Sequence, residues 1–250
     1  TYTHDDSQTT SDSFTYKAND GTSDSNTATA TIAITAVNDA PVASAVNGSG
    51  SEDGTISTTL TATDVDDIDP NNFFIIVSQP TNSNNDDDVV IGTPSYSSGT
   101  FTAVATYTHD GSETTSDSFT YKANDGTDDS NTATATIAVT AVNDAPVAMA
   151  VNSSGNEGGT ISATLIATDV DDDDPTGFTF SIISQPINKI DSVSIGAVSY
   201  ASGTFTAVAT YTHDGSETTS DSFTYKANDG DGDSNTATAT IAVTAVNDAP

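Results

Sequence analysis

The chain has 250 residues, of which 34% are hydrophobic and 7% aromatic, so any core is thin and built mainly from Ala, Val and Ile with a few Phe and Tyr. Thirty-six acidic side chains face four lysines, and the formal charge of -32 repels nucleic-acid backbones, anionic lipid and polyanionic sugars. Cysteine is absent, which excludes disulfides and thiolate metal sites.

Low hydrophobicity with high charge is also the signature of disorder, and strict repetition with strand periodicity argues against it. Asn-Asp-Ala-Pro occurs at residues 38–41, 143–146 and 247–250, a period of about 105 residues. Residues 1–40 then form the last part of one copy, 41–145 a full copy, and 146–250 a second. The text from Phe101 to Gly126 recurs unchanged from Phe205 to Gly230. With no initiator Met, signal peptide or membrane-length apolar run, the chain reads as an internal window of something longer.

Strands are predicted in the first full copy near Val42–Val46, Thr55–Thr63, Phe73–Val77, Val89–Ile91, Phe101–Thr108, Ser118–Lys122 and Thr132–Val142. The last alternates so that Ala133, Ala135, Ile137, Val139 and Ala141 share one face against mostly Thr on the other. After Pro80 the copies differ in length: Thr81–Asp88 faces the shorter Ile187–Ser192, and its Asn and Asp residues mark an exposed loop. No helical period is present. About seven short strands in about 100 residues predict an all-β chain of tandem immunoglobulin-like Greek-key β-sandwiches in a linear array.

The acids of the first full copy fall in loops between strands: Ser51-Glu52-Asp53, Asp64-Val65-Asp66-Asp67, Asp110-Gly111-Ser112-Glu113 and Asn124-Asp125, followed by the linker Asn143-Asp144. Flexible acidic loops of this kind supply the hard oxygen ligands that Ca2+ takes, whereas zinc wants His or Cys. A single Asp-x-Asp is equally a turn former, so solvated turn aspartates remain the alternative. Four motifs recurring in one order at one period point to calcium rather than to solvated turns.

The order of these motifs resembles the cadherin repeat and its bacterial cadherin-like relatives in large extracellular adhesins. Ser51-Glu52-Asp53 stands where cadherins have Pro-Glu-Asn, and Thr61-Ala62-Thr63-Asp64-Val65-Asp66 is similar to their Ala-Thr-Asp-Ala-Asp. Ala123-Asn124-Asp125-Gly126 resembles their Ala-Ser-Asp-Gly, and Val142-Asn143-Asp144-Ala145-Pro146 their linker. In that family the ions lie between successive domains. The resemblance implies that, where the two full copies meet, Glu52, Asp110 and Glu113 come from the upper domain, Asn143 and Asp144 from the linker, and Asp169, Asp171 and Asp229 from the lower domain. At the preceding junction it implies Asn38, Asp39, Asp64, Asp66 and Asp125. There Gln8 replaces the Glu, and the equivalent of Glu52 is missing.

His4, His109 and His213 recur at one repeat position, as scaffold residues do, whereas a catalytic His is singular and paired with a nucleophile. Tyr107, Phe119 and Tyr121 read as core rather than as a sugar platform. The expected function is a calcium-rigidified structural stalk of an extracellular adhesin or surface fibre, on the cell surface or secreted, with no catalytic role. Its partners would be neighbouring repeats, other copies of itself or cell-surface polysaccharide. Two rivals are a filament subunit that exchanges strands through its incomplete first copy, and a carbohydrate-binding module using Phe73 and Phe74 or Phe178 and Phe180.

Overall fold

Alternation of small apolar residues with Thr and Ser gives each strand one face for the core and one for water, and β-branched Thr favours the extended backbone. The computed structural model describes residues 1–71, 73–84 and 89–247. Residues 85–88 of the acidic insertion and 248–250 of the last Asn-Asp-Ala-Pro motif lie outside the described residues. The chain divides into two units, Thr1–Ala141 and Val142–Pro250.

The first unit opens with an antiparallel pair, β1 (Ser11–Tyr16) and β2 (Ala28–Ala33). A sandwich follows, built from β3 (Val42–Ser44), β4 (Val46–Ser51), β5 (Thr55–Thr63), β6 (Phe74–Ser78), β7 (Val90–Ile91), β8 (Ser95–Ser97), β9 (Thr100–Thr108), β10 (Ser116–Ala123) and β11 (Ala133–Thr140). Its strand order is β6-β10-β11-β4-β5-β9-β7, with β3 also on β5 and β8 also on β9. β4 runs parallel to β11, and the other pairings are antiparallel.

The second unit repeats this plan with β12 (Val147–Ala148), β13 (Val151–Asn156), β14 (Thr160–Thr168), β15 (Thr179–Ser184), β16 (Ser194–Ile195), β17 (Ser199–Ala201), β18 (Thr204–Thr212), β19 (Ser220–Asn228) and β20 (Ala237–Thr244). Here the sheets stay separate, β12-β14-β18-β16 with β17 on β18, and β13-β20-β19-β15.

Ala supplies so much of the inward surface that a few rings must fill the space between the sheets. Phe73 stacks on Phe101 with centroids 3.8 Å apart, and Phe178 on Phe205 at 3.7 Å. Phe74 meets Tyr121, and Phe180 meets Tyr225, each at 5.9 Å. The four phenylalanines considered as a sugar platform are therefore buried, which removes the surface basis of that reading. Tyr107, Phe119 and Tyr121 are likewise core.

Buried phenols staple one sheet to the other. The Tyr121 hydroxyl donates to the Ser44 carbonyl and accepts from the Thr61 amide at 3.3 Å. Tyr225 does the same with the Met149 carbonyl and the Ile166 amide, the latter at 3.2 Å. Asn131 clasps the backbone of Ala43 in both directions, at 3.1 and 2.9 Å, as Asn235 does with Ala148.

The strand list differs from expectation in three places. The run Val42–Val46 breaks at Ala45, because β3 pairs with β5 whereas β4 pairs along β11. The β8–β9 hairpin was not predicted, since its turn places Ser98 at φ 52° and Gly99 at φ 82°, and serine carries little preference for that region. The last strand stops at Thr140, so Ala141 is exposed. Among the described residues each sandwich then has nine strands rather than about seven. The loop after Pro80, expected to be exposed, is exposed to half-buried in its described part and is held there by Asp117, which accepts the amides of Thr81 and Asn82, each at 3.2 Å.

Candidate metal centre

In the first unit the acids collect where the linker 38–40 meets two turns of the following sandwich. Just after β5, Asp64 closes an Asx turn, its Oδ1 accepting the amides of Asp66 and Asp67 at 3.0 Å each. Its Oδ2 is buried and has no hydrogen-bond partner, although the residue is only 8% exposed. A buried carboxylate oxygen without a donor is costly unless a cation supplies an opposing charge or a water a hydrogen bond.

The second turn follows β10. Asn124 accepts the amide of Gly126 at 2.8 Å, and Asp125 Oδ1 accepts those of Thr127 and Asp128 at 2.6 and 2.7 Å. The Asp128 amide holds the Asp125 carboxyl below the usual range against the opposing effect of burial, helped by the Asn38 side chain and the Thr127 amide. The linker docks on both turns. Asn38 Nδ2 donates to Asp125 Oδ2 at 2.9 Å and to Asp128 Oδ2 at 3.1 Å, and the Asp39 amide donates to Asp66 Oδ2 at 3.1 Å.

The second unit builds the same frame from its own residues. Asn143 Nδ2 donates to Asp229 Oδ2 at 2.9 Å, and the Asp144 amide to Asp171 Oδ2 at 2.6 Å. Asp169 Oδ1 accepts the Asp171 and Asp172 amides at 3.0 and 3.2 Å, and again Oδ2 is buried without a hydrogen-bond partner. Burial pushes the Asp169 carboxyl above the usual range; those two amides pull it back, while the charges of Asp229 and Asp171 add to the rise. At Asp229 burial acts upward, and the amides of Gly232 and Asp231 with the Asn143 side chain outweigh it, so this carboxyl sits low.

Glu52, Asp110 and Glu113 lie on loops of the first unit. Glu52 is 2% exposed in the turn between β4 and β5, and its amide donates to the Thr140 carbonyl at 3.1 Å. Asp110 is exposed; the neighbouring Ser112 hydroxyl and amide hold its carboxyl low. Glu113 is also exposed. Beneath this loop His109 is buried, with Nδ1 accepting the Gly111 amide at 3.3 Å and Nε2 facing Thr114 Oγ1 at 3.1 Å. That assigns the proton to Nε2 and a scaffold role to the imidazole.

Three acids were missed. Glu157, the repeat of Glu52, accepts the Val246 amide at 2.5 Å on Oε1 and buries Oε2 without a hydrogen-bond partner. The repeat period alone could have found it. Asp117 and Asp221 are buried in β10 and β19, where they clasp the segment before β7 and β16; nothing in composition separates them from turn acids.

The carboxylates gathered at these two frames are hard oxygen donors of the kind calcium takes, while Asn38 and Asn143 turn their side-chain nitrogens toward them. Residues 38–138 and 143–242 each match the model of a family described as bacterial Ig domain. No curated protein matches the chain by sequence. Among solved structures it is similar to the extracellular cadherin domains 1–5 of protocadherin gamma B2, with a TM-score of 0.58 and 19% identity over 96% of this chain and 47% of that one. It is also similar to the protocadherin gamma B4 extracellular domain, with a TM-score of 0.50 and 19% identity over 94% of this chain and 38% of that one. The chain thus spans less than half of either relative. At such identity the likeness shows the fold, a tandem cadherin-like and Ig-like β-sandwich. No helix among the described residues is long and apolar enough to cross a membrane.

Proposed function

The chain belongs to the bacterial Ig domain family, and on that premise we propose that it is a calcium-binding, calcium-rigidified stalk segment of an extracellular adhesin or surface fibre, with no catalytic role. One observation carries the reading: in both units an aspartate at the same repeat position, Asp64 and Asp169, buries a carboxylate oxygen without a hydrogen-bond partner among further acids. Asn38, Asp39, Asp64, Asp66 and Asp125 would hold an ion in the first unit. Asn143, Asp144, Asp169, Asp171 and Asp229 would do so in the second.

Calcium suits these sites because it tolerates irregular oxygen shells of mixed carboxylate and amide donors. An ion held jointly by linker and turns would replace a flexible tether with a fixed one, which is the mechanical task of a stalk. Near-verbatim repetition fits a spacer, since a specific binding site needs to exist only once. The expected partners are neighbouring repeats, with other copies or surface polysaccharide as what the assembled fibre contacts.

The test is a calorimetric calcium titration of chelated protein, with small-angle scattering on both end states. Saturable binding with a dissociation constant of about 10⁻⁶ to 10⁻³ M and a stiffer, longer particle is expected. Absence of saturable heat, with unchanged scattering, would reduce these acids to solvated turns.

A further inference from the structure

The acidic loop of the first 40 residues is not a simple loss of function relative to its later copies. Asp5-Asp6-Ser7-Gln8 stands where the other copies have Asp110-Gly111-Ser112-Glu113 and Asp214-Gly215-Ser216-Glu217. Two changes therefore occur together: Glu becomes Gln8, and Gly becomes Asp6. The loop keeps two carboxylates, and one of them has moved.

Its new place is unusual. Gly111 and Gly215 take φ 75° and 80°, and Asp6 keeps the same left-handed backbone at φ 61°, where a side chain is disfavoured. Asp6 lines a cavity of about 460 Å³ together with Gln8, Asp39 and Asp64. Gln8 Nε2 donates to Asp39 Oδ2 at 2.6 Å, so the amide braces the linker carboxylate but brings no charge. Asp64, more than nine-tenths buried, lines this cavity and has the Oδ2 that lacks a hydrogen-bond partner.

We propose that Asp6 is a calcium ligand of the site in the first unit, supplying from the left-handed position the charge that Gln8 does not. This rests on the calcium reading above. It adds a ligand that neither the cadherin resemblance nor the repeat itself assigns, because the other copies have glycine there.

The experiment follows the backbone amide signals of Asp39 and Asp66 by NMR during a calcium titration of the whole chain. Asp6→Asn keeps tolerance of the left-handed backbone and removes the charge, and Asp6→Gly restores the residue of the other copies. Both are expected to raise the calcium concentration at half-shift about tenfold or more at these two amides, leaving those of Asp144 and Asp171 unmoved. The double variant Asp6→Gly with Gln8→Glu is expected to recover the parent value. If the parent responds and both single variants respond at the same concentration, the assignment of Asp6 is wrong while the calcium reading stands. If the Asp39 and Asp66 amides of the parent do not respond at all, the calcium reading of this site falls with it.

Discussion

In the second unit Asp169 carries the electrostatic signature of a buried carboxylate. Its native carboxyl lies above the usual aspartate value of about 3.9, because burial and the charges of Asp229 and Asp171 outweigh two amide hydrogen bonds. Raised in the folded state, this group binds protons more tightly there than in the unfolded chain. Its contribution to stability is therefore present below the unfolded value and is lost as pH rises through the native one. At neutral pH the ionised Asp169 is a cost that a cation can remove. Asp229 runs the opposite way, its contribution fading as pH falls through its depressed native value. Carboxyl-carbon NMR of chelated protein should place the Asp169 midpoint above the ordinary range. Saturating calcium should bring it below that range, since the ion competes with the proton. A midpoint indifferent to calcium would remove Asp169 from the ligand set.

At the level of elements, strands rich in Ala and Thr depend on a few large rings. Phe205 on β18 is fully buried and stacked on Phe178, while Val208 on the same strand is half exposed on the opposite face. Phe205→Ala should cost about 3–5 kcal/mol in denaturant unfolding, and Val208→Ala less than about 0.5 kcal/mol. Similar losses for both would mean that the ring stack does not dominate the core. The same contrast explains what was legible in the sequence. β5 and β9 alternate strictly, and their predicted bounds agree with the observed ones to within a residue. β8 was hidden because its turn depends on Ser98 adopting a backbone that serine rarely takes. The split of β3 from β4 was hidden because it is a choice of pairing partner, which one strand's pattern does not encode. The linker and turn acids stand out through repetition and order. Asp117 and Asp221 do not, because a buried clasp and a solvated turn use the same residue type.

For the whole molecule the dominant fact is a formal charge of -32 over 250 residues. Lys17, Lys122 and Lys226 pair with Asp24, Asp129 and Asp233, contacts too exposed to offset much of that repulsion. Two kinds of cation effect can then stabilise the fold, and they scale differently. Monovalent salt screens over a Debye length of about 10 Å at 0.1 M and acts gradually on every carboxylate. A bound calcium acts at a few oxygens and saturates, adding about 2.7 kcal/mol per site at a hundredfold excess over its dissociation constant. Thermal unfolding of chelated protein should therefore rise smoothly with NaCl. Calcium should raise Tm steeply, and then to a plateau, at an ionic strength where NaCl does little. Magnesium should fall short of calcium, because it demands a tight octahedron and sheds its water reluctantly, which these irregular turns and amide donors do not reward. If NaCl at matched ionic strength reproduces the calcium curve, the acids act as a diffuse charge cloud and the proposed calcium sites fall.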